Sequence, residues 1–249
     1  MRDTDKDWTT IAETDPYWGV LSVEDFRGEE LSDGARQTFF DSGKAFVENT
    51  FAFIRRHIDA GFSPARSLDF GCGVGRLLIP IAAHSTEAIG LDIAPRMREI
   101  AEANLRSVGV LNARVLASDD LLSQAEGEFD FVNSFIVLQH IPPERGTELL
   151  EHLIRKIRKG GVGSLQLTYA KDRRFFPHEG WRARFYRREG DSIRDILPQP
   201  MGADAHIMMF DYDLNAVMAL VSTYGGSPVM VLPTNDDGHL GVHLIFRRA

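Results

Sequence analysis

The stretch Arg66-Ser-Leu-Asp-Phe-Gly-Cys-Gly-Val-Gly-Arg-Leu-Leu78 constrains the chain most, because a short apolar run meets three closely spaced glycines and then a helical pattern. The order predicts strand, tight turn, helix. Gly71, Gly73 and Gly75 remove every Cβ that would keep a ligand off the backbone at the helix N-terminus, and Asp69 adds an acid near the strand end. The spacing separates two ligand classes. A dinucleotide fingerprint G-x-G-x-x-G requires glycine at position 76, where this chain carries Arg76. That argues against a pyrophosphate.

A strand-helix alternation follows from the same turn. Strands are predicted at 66–70, 88–92, 113–116, 129–134 and 162–168, and helices at 74–84, 95–108, 119–125 and 143–158. A helix at 213–224 and strands at 228–232 and 240–247, joined through Asn235-Asp-Asp-Gly238, complete the chain. The pattern predicts an α/β fold, doubly wound, with a mostly parallel seven-stranded sheet and helices on both faces. Upstream, apolar residues from Phe39 to Ile58 recur at steps of three and four, an amphipathic helix. Residues 1–35 are acidic and broken by glycine and proline, which predicts a loosely structured leader around Tyr17-Trp18.

Asp69-Phe-Gly-Cys-Gly-Val-Gly75 resembles the D-x-G-x-G-x-G motif of the class I S-adenosylmethionine-dependent methyltransferases. Gly90-Leu-Asp92-Ile93 resembles the acidic end of their second strand, Phe129 to Phe135 their fourth strand, and Lys159-Gly-Gly161 the turn before their fifth. The resemblance covers roughly residues 66 to 168, and the antiparallel last strand also resembles this Rossmann-like family's fold. It implies S-adenosylmethionine as cofactor, S-adenosylhomocysteine as product, and methylation of an oxygen or nitrogen of a small-molecule acceptor. No metal is required. One domain is expected: a lid at 1–60, a cofactor-binding core at 61–168, an acceptor cap at 169–205, and the last helix and strands at 206–249.

Composition excludes other classes. The 249 residues carry a formal net charge of −8, which disfavours nucleic acid and anionic membrane surfaces as partners. A single cysteine, Cys72, permits no internal disulfide. The N-terminus has no signal-peptide pattern and Leu77 to Ala83 is too short to span a bilayer, so a cytoplasmic protein is expected.

Each moiety of the implied cofactor has a candidate. The glycines approach its amino-acid part and ribose, and the two carboxylate oxygens of Asp92 suit the ribose diol, with Ile93 beside them. Asp119, Asp120 and Leu121 follow the third strand, where the family holds adenine; either aspartate also suits a helix cap. Ser134 and Phe135, at the end of the fourth strand, offer carbonyls to the ammonium. His140 is the candidate general base or else a structural histidine, and Gln139 beside it is a candidate acceptor contact. Tyr17 and Trp18 are candidate lid aromatics against the sulfonium or adenine, or else packing residues. Between 171 and 188 seven Lys or Arg residues interleave with aromatics, so Arg182 and Arg184 are candidates for binding an anionic or carrier-linked acceptor. A noncatalytic S-adenosylmethionine-binding module and a nicotinamide-dependent oxidoreductase are the alternatives.

Overall fold

The computed structural model describes residues 4–172, 174, 187–189, 192–194, 199–201 and 205–249. In chain order the elements are α1 (Thr4–Thr14), α2 (Pro16–Val20), α3 (Asp33–His57), β1 (Arg66–Phe70), α4 (Leu78–Ala83), β2 (Glu87–Asp92), α5 (Pro95–Ser107), β3 (Ala113–Ala117), β4 (Phe129–Ser134), α6 (Pro143–Lys156) and β5 (Ile157–Lys171). Two short hairpins follow, β6 (Arg187–Glu189) with β7 (Ser192–Arg194) and β8 (Gln199–Met201) with β9 (Ala205–Ile207). The last elements are α7 (Leu214–Thr223), β10 (Gly226–Asp236) and β11 (His239–Arg248).

The seven-stranded sheet runs β10-β11-β5-β4-β1-β2-β3, with β11 antiparallel to both its neighbours and β1 to β5 parallel. This is the doubly wound class that the sequence pattern predicts. Strand order reverses at β1, with β2 on one side and β4 on the other, so the crevice beyond their carboxyl ends is a topological switch point. Alternation within β1 divides two cores: Leu68 and Phe70 join Val132, Leu150 and Leu165 on one face, while Ser67 and Asp69 turn to the other. On that second face α3 buries Val47, Phe51 and Ile54 against Phe131 and Ile81. Each such side chain contributes about 1.5–3 kcal/mol on burial.

Three elements differ from expectation. α4 begins at Leu78 rather than 74, because Gly75 holds φ 90°, outside the helical region. Residues 119–125 form turns, not a helix, since the Asp119 carboxylate takes the Leu121 and Ser123 amides at 3.0 and 2.9 Å. The leader is helical rather than loose, with α1, α2 and a 3-10 turn at Glu24–Phe26. Its Tyr17 and Trp18 are buried with Phe26, Phe39 and Met97. Arg36 donates to Tyr17 Oη at 2.9 Å and to Asn104 Oδ1 at 2.6 Å, and Arg27 lies 3.7 Å above the Trp18 ring.

The end of β5 and the approach to α7 are clasped together. Tyr212 N donates to the Thr168 carbonyl at 2.8 Å, Thr168 Oγ1 to the Phe210 carbonyl at 2.6 Å, and Lys171 Nζ to Asp211 Oδ1 at 2.9 Å. The Tyr212 hydroxyl is 2.9 Å from the carbonyls of both Leu138 and Ile141.

Candidate functional site

A cleft of about 840 Å³, solvent at its mouth included, lies beyond the ends of β1, β2, β3 and β4. It is lined by Gly71, Gly73, Asp92 and Ile93, by Asp119 and Asp120, and by Phe135, Val137 and His140, with Val137 packed against Gly71. The leader contributes Asp5, Trp8, Gly19 and Val20. No helix among the described residues is long and apolar enough to cross a membrane.

The glycine turn is welded to the acid. Asp92 Oδ2 accepts the Gly73 amide and Oδ1 the Ala94 amide, both at 2.9 Å, while burial raises its pKa and those two amides oppose the rise. The Ile93 amide also reaches this carboxylate, and the acceptor capacity that the three amides leave suits a hydroxyl. The residue set suits a cationic ligand: Asp5, Asp92, Asp119 and Asp120 all line the cleft, and the one arginine lining it among the described residues, Arg145, is already committed. Arg145 Nη1 and Nη2 grip the Asp5 carboxylate at 2.7 and 2.9 Å, and Nε donates to Asp120 Oδ1 at 2.7 Å. A pyrophosphate would meet uncompensated negative charge.

His140 is buried, with its ring centroid 4.9 Å from that of Trp8 in an edge contact. Burial lowers its pKa to about 4; the Met208 carbonyl opposes this and the Lys171 charge adds to it. The ring is neutral at physiological pH.

Several expected residues do not line the cleft. Tyr17 and Trp18 anchor the leader to the body, and the leader's aromatic that lines the cleft is Trp8. Asp69 is buried behind the turn and accepts from Asn133 Nδ2 at 2.8 Å; burial raises its pKa to about 7. Gly75 backs onto Ala101. Leu121 is exposed, and its amide is spent on Asp119. Ser134 is buried, its hydroxyl without a partner, and Gln139 packs behind His140. Arg182, Arg184 and most of the expected acceptor cap lie outside the described residues. Sequence reasoning missed Trp8, Asp5, Val20 and Arg145.

Known proteins place this arrangement. Residues 68–161 match the family model described as "Methyltransferase domain". The magnesium-protoporphyrin O-methyltransferase of Synechocystis is 33% identical over 138 residues, 52% of this chain and 59% of that protein. The ubiquinone biosynthesis O-methyltransferase of Chromobacterium violaceum is 31% identical over 105 residues, 41% of this chain and 44% of that protein. The chain thus spans about half the length of these curated relatives. In structure it superposes on the Synechocystis magnesium protoporphyrin IX methyltransferase with bound SAM at TM-score 0.61, covering 100% of this chain and 99% of that one. Identity over that whole superposition is 18%, lower than in the aligned segment because the flanks diverge. The N-methyltransferase NodS of Bradyrhizobium japonicum gives TM-score 0.58 at 14% identity, over 99% of both chains. Domain match and fold agree: residues 68–161 match a methyltransferase domain, and the sheet has the fold of the methyltransferases on which the chain superposes.

Proposed function

We propose that the protein transfers a methyl group from S-adenosylmethionine to an oxygen or nitrogen of a small-molecule acceptor, with oxygen favoured by the named activities of its relatives. The observation that carries this reading is that one cleft holds both halves of the chemistry. Asp92, Gly71, Gly73 and His140 all line it. Asp92 would take the ribose hydroxyls, Asp119 or Asp120 the adenine end, and the backbone from Gly71 to Gly73 the amino-acid part. Trp8, in place of Tyr17 and Trp18, would cover the bound cofactor, a role that a cation over an aromatic face favours.

The cofactor supplies an electrophilic methyl on a good leaving group. The protein's task is then to align acceptor and methyl and to receive the acceptor's proton. With the methyl supplied by the bound cofactor, His140 would receive the proton that the acceptor hydroxyl gives up. Burial keeps His140 neutral down to about pH 4, so the ring is free to accept a proton across the physiological range, as a weaker base than a free imidazole. The acidic cleft, closed off by α1, favours a ligand that enters as a cation and leaves neutral.

An acceptor screen read by S-adenosylhomocysteine formation tests the activity, and calorimetry tests the cofactor. Asp92→Ala should weaken S-adenosylmethionine binding by about 1.5–3 kcal/mol. His140→Ala should lower kcat about 10²- to 10⁴-fold while the cofactor still binds. Binding without turnover of any acceptor would favour a noncatalytic module.

A further inference from the structure

His140 has two ring nitrogens, and what each meets decides which one holds the proton. Nδ1 lies 2.8 Å from the Met208 carbonyl, which only accepts, so Nδ1 carries the hydrogen and Nε2 is bare. A second line of contacts reaches the ring from the other side. It starts at Ile136, a β-branched residue held at φ 59°, in the left-handed region such side chains avoid. The Ile136 amide donates to Gln166 Oε1 at 3.0 Å. Because a backbone amide only donates, Gln166 must turn its oxygen to Ile136 and its nitrogen to Gln139 Oε1, 3.1 Å away. Gln139 is thereby made to present Nε2, 3.4 Å from His140 Nε2. Gln139 and Gln166 are 2% and 0% exposed, so water does not reset either amide.

We propose that Gln166 and Gln139 are positioning residues for His140: an amide relay, its polarity set by the strained Ile136 amide, presents a donor to Nε2 and holds the ring in the tautomer whose Nε2 receives the acceptor's proton. The proposal rests on the reading of His140 as the base. Neither glutamine lines the cleft, whereas Ile136 and His140 both do, so the relay connects two points of the cleft lining through the protein interior. Two independent determinants, the Met208 carbonyl and the relay, agree on one tautomer. At 3.4 Å the Gln139 contact is the longest of the series, so exchanging it for an acceptor hydroxyl gives up little.

The test is Gln166→Glu, read by 15N shifts of histidine-labelled full-length protein. A carboxylate keeps the Ile136 bond but turns an oxygen on Gln139, whose amide must flip and offer Oε1 to His140. Met208 still holds the Nδ1 hydrogen, so both ring nitrogens then face acceptors; the expected result is a second proton on Nε2 at neutral pH, read as an imidazolium signature, with kcat lowered about 100-fold and S-adenosylmethionine affinity held within about twofold, since neither glutamine touches the cleft. Should the buried carboxylate prevent folding, Gln166→Met carries the test: Gln139 is then free to turn either way, and an Nε2 shift displaced from its wild-type value is expected while Nδ1 stays protonated. Nε2 shifts identical to the wild type in the folded variants would overturn the relay. A second proton on Nε2 with kcat at the wild-type value would instead establish the relay and remove the base role it rests on.

Discussion

Replacing Gly71 by alanine separates two costs that the glycine turn conceals. Gly71 sits at φ 72°, and an added Cβ would run into Val137 Cγ2, with Val137 Cγ1 at 2.6 Å and Cβ at 3.0 Å. A left-handed backbone costs an L-residue about 1–2 kcal/mol, and overpacking about 1–3 kcal/mol more. Gly71→Ala should therefore lose about 2–5 kcal/mol from a total stability on the order of 5–15 kcal/mol. Val137→Ala removes both methyl groups in the way, and because Val137 is only partly buried the change alone should cost about 1 kcal/mol. In the double variant the overpacking share returns and the backbone share stays. Urea unfolding of the four proteins measures this directly, with equal m values as the check that compactness is unchanged. The expected coupling is about 1–3 kcal/mol in favour of the double variant. Additivity within about 0.5 kcal/mol would refute the steric argument. The cofactor turn would then not be held against the loop after β4.

Asp69 makes stability depend on pH in an unusual direction. Its folded pKa of about 7 lies above the ordinary 3.8, so the native state binds the proton more tightly, and stability falls as pH rises through that window. Roughly three pKa units correspond to about 4 kcal/mol in order of magnitude, fully lost above pH 7. Asp69→Asn should flatten thermal stability between about pH 4 and 7 and exceed the wild type at about pH 8; an unaltered pH profile would show that Asp69 is not the group responsible. At the leader, Asp5→Asn should loosen the grip of Arg145 on α1, whose side chains are 35% and 30% exposed. Stopped-flow dissociation of S-adenosylmethionine should speed up by about two- to fivefold, an effect that fades in high salt; an unchanged rate would show that α1 does not gate the cleft.

The sheet was legible because its strands are short apolar runs that end at glycines or polar residues. β1 and β4 fall at 66–70 and 129–134 as read, and Asp92 terminates β2 in both readings. Pattern failed where tertiary partners decide. The breakers at Pro16 and Gly19 read as loop, yet Pro16 opens α2, and Tyr17 and Trp18 gain their burial from Phe39 and Met97, far along the chain. Asp119 and Leu121 read as a helix start, but one carboxylate satisfies the amides a helix would have used. Trp8 lies in the stretch that reads as a loose leader and Arg145 in the first turn of an expected helix, with nothing local to mark either. Arg145 becomes part of the cleft only through Asp5, 140 residues away, and Asp120, 25 away. The glutamine relay has no local signature at all, since Gln139 and Gln166 lie 27 residues apart and meet only across the sheet's edge.

The clasp between Thr168, Lys171 and the Phe210–Tyr212 segment bears on how such a protein diversifies. Both stalks of the intervening stretch are fixed to the core by their own bonds, one of them an ion pair with side chains only 6% and 1% exposed. A segment whose ends are already held together adds little closure entropy when it lengthens, about 0.6 kcal/mol for each doubling. Changes of length within that stretch, short of Met208 whose carbonyl holds His140, therefore leave both ends of the clasp in place.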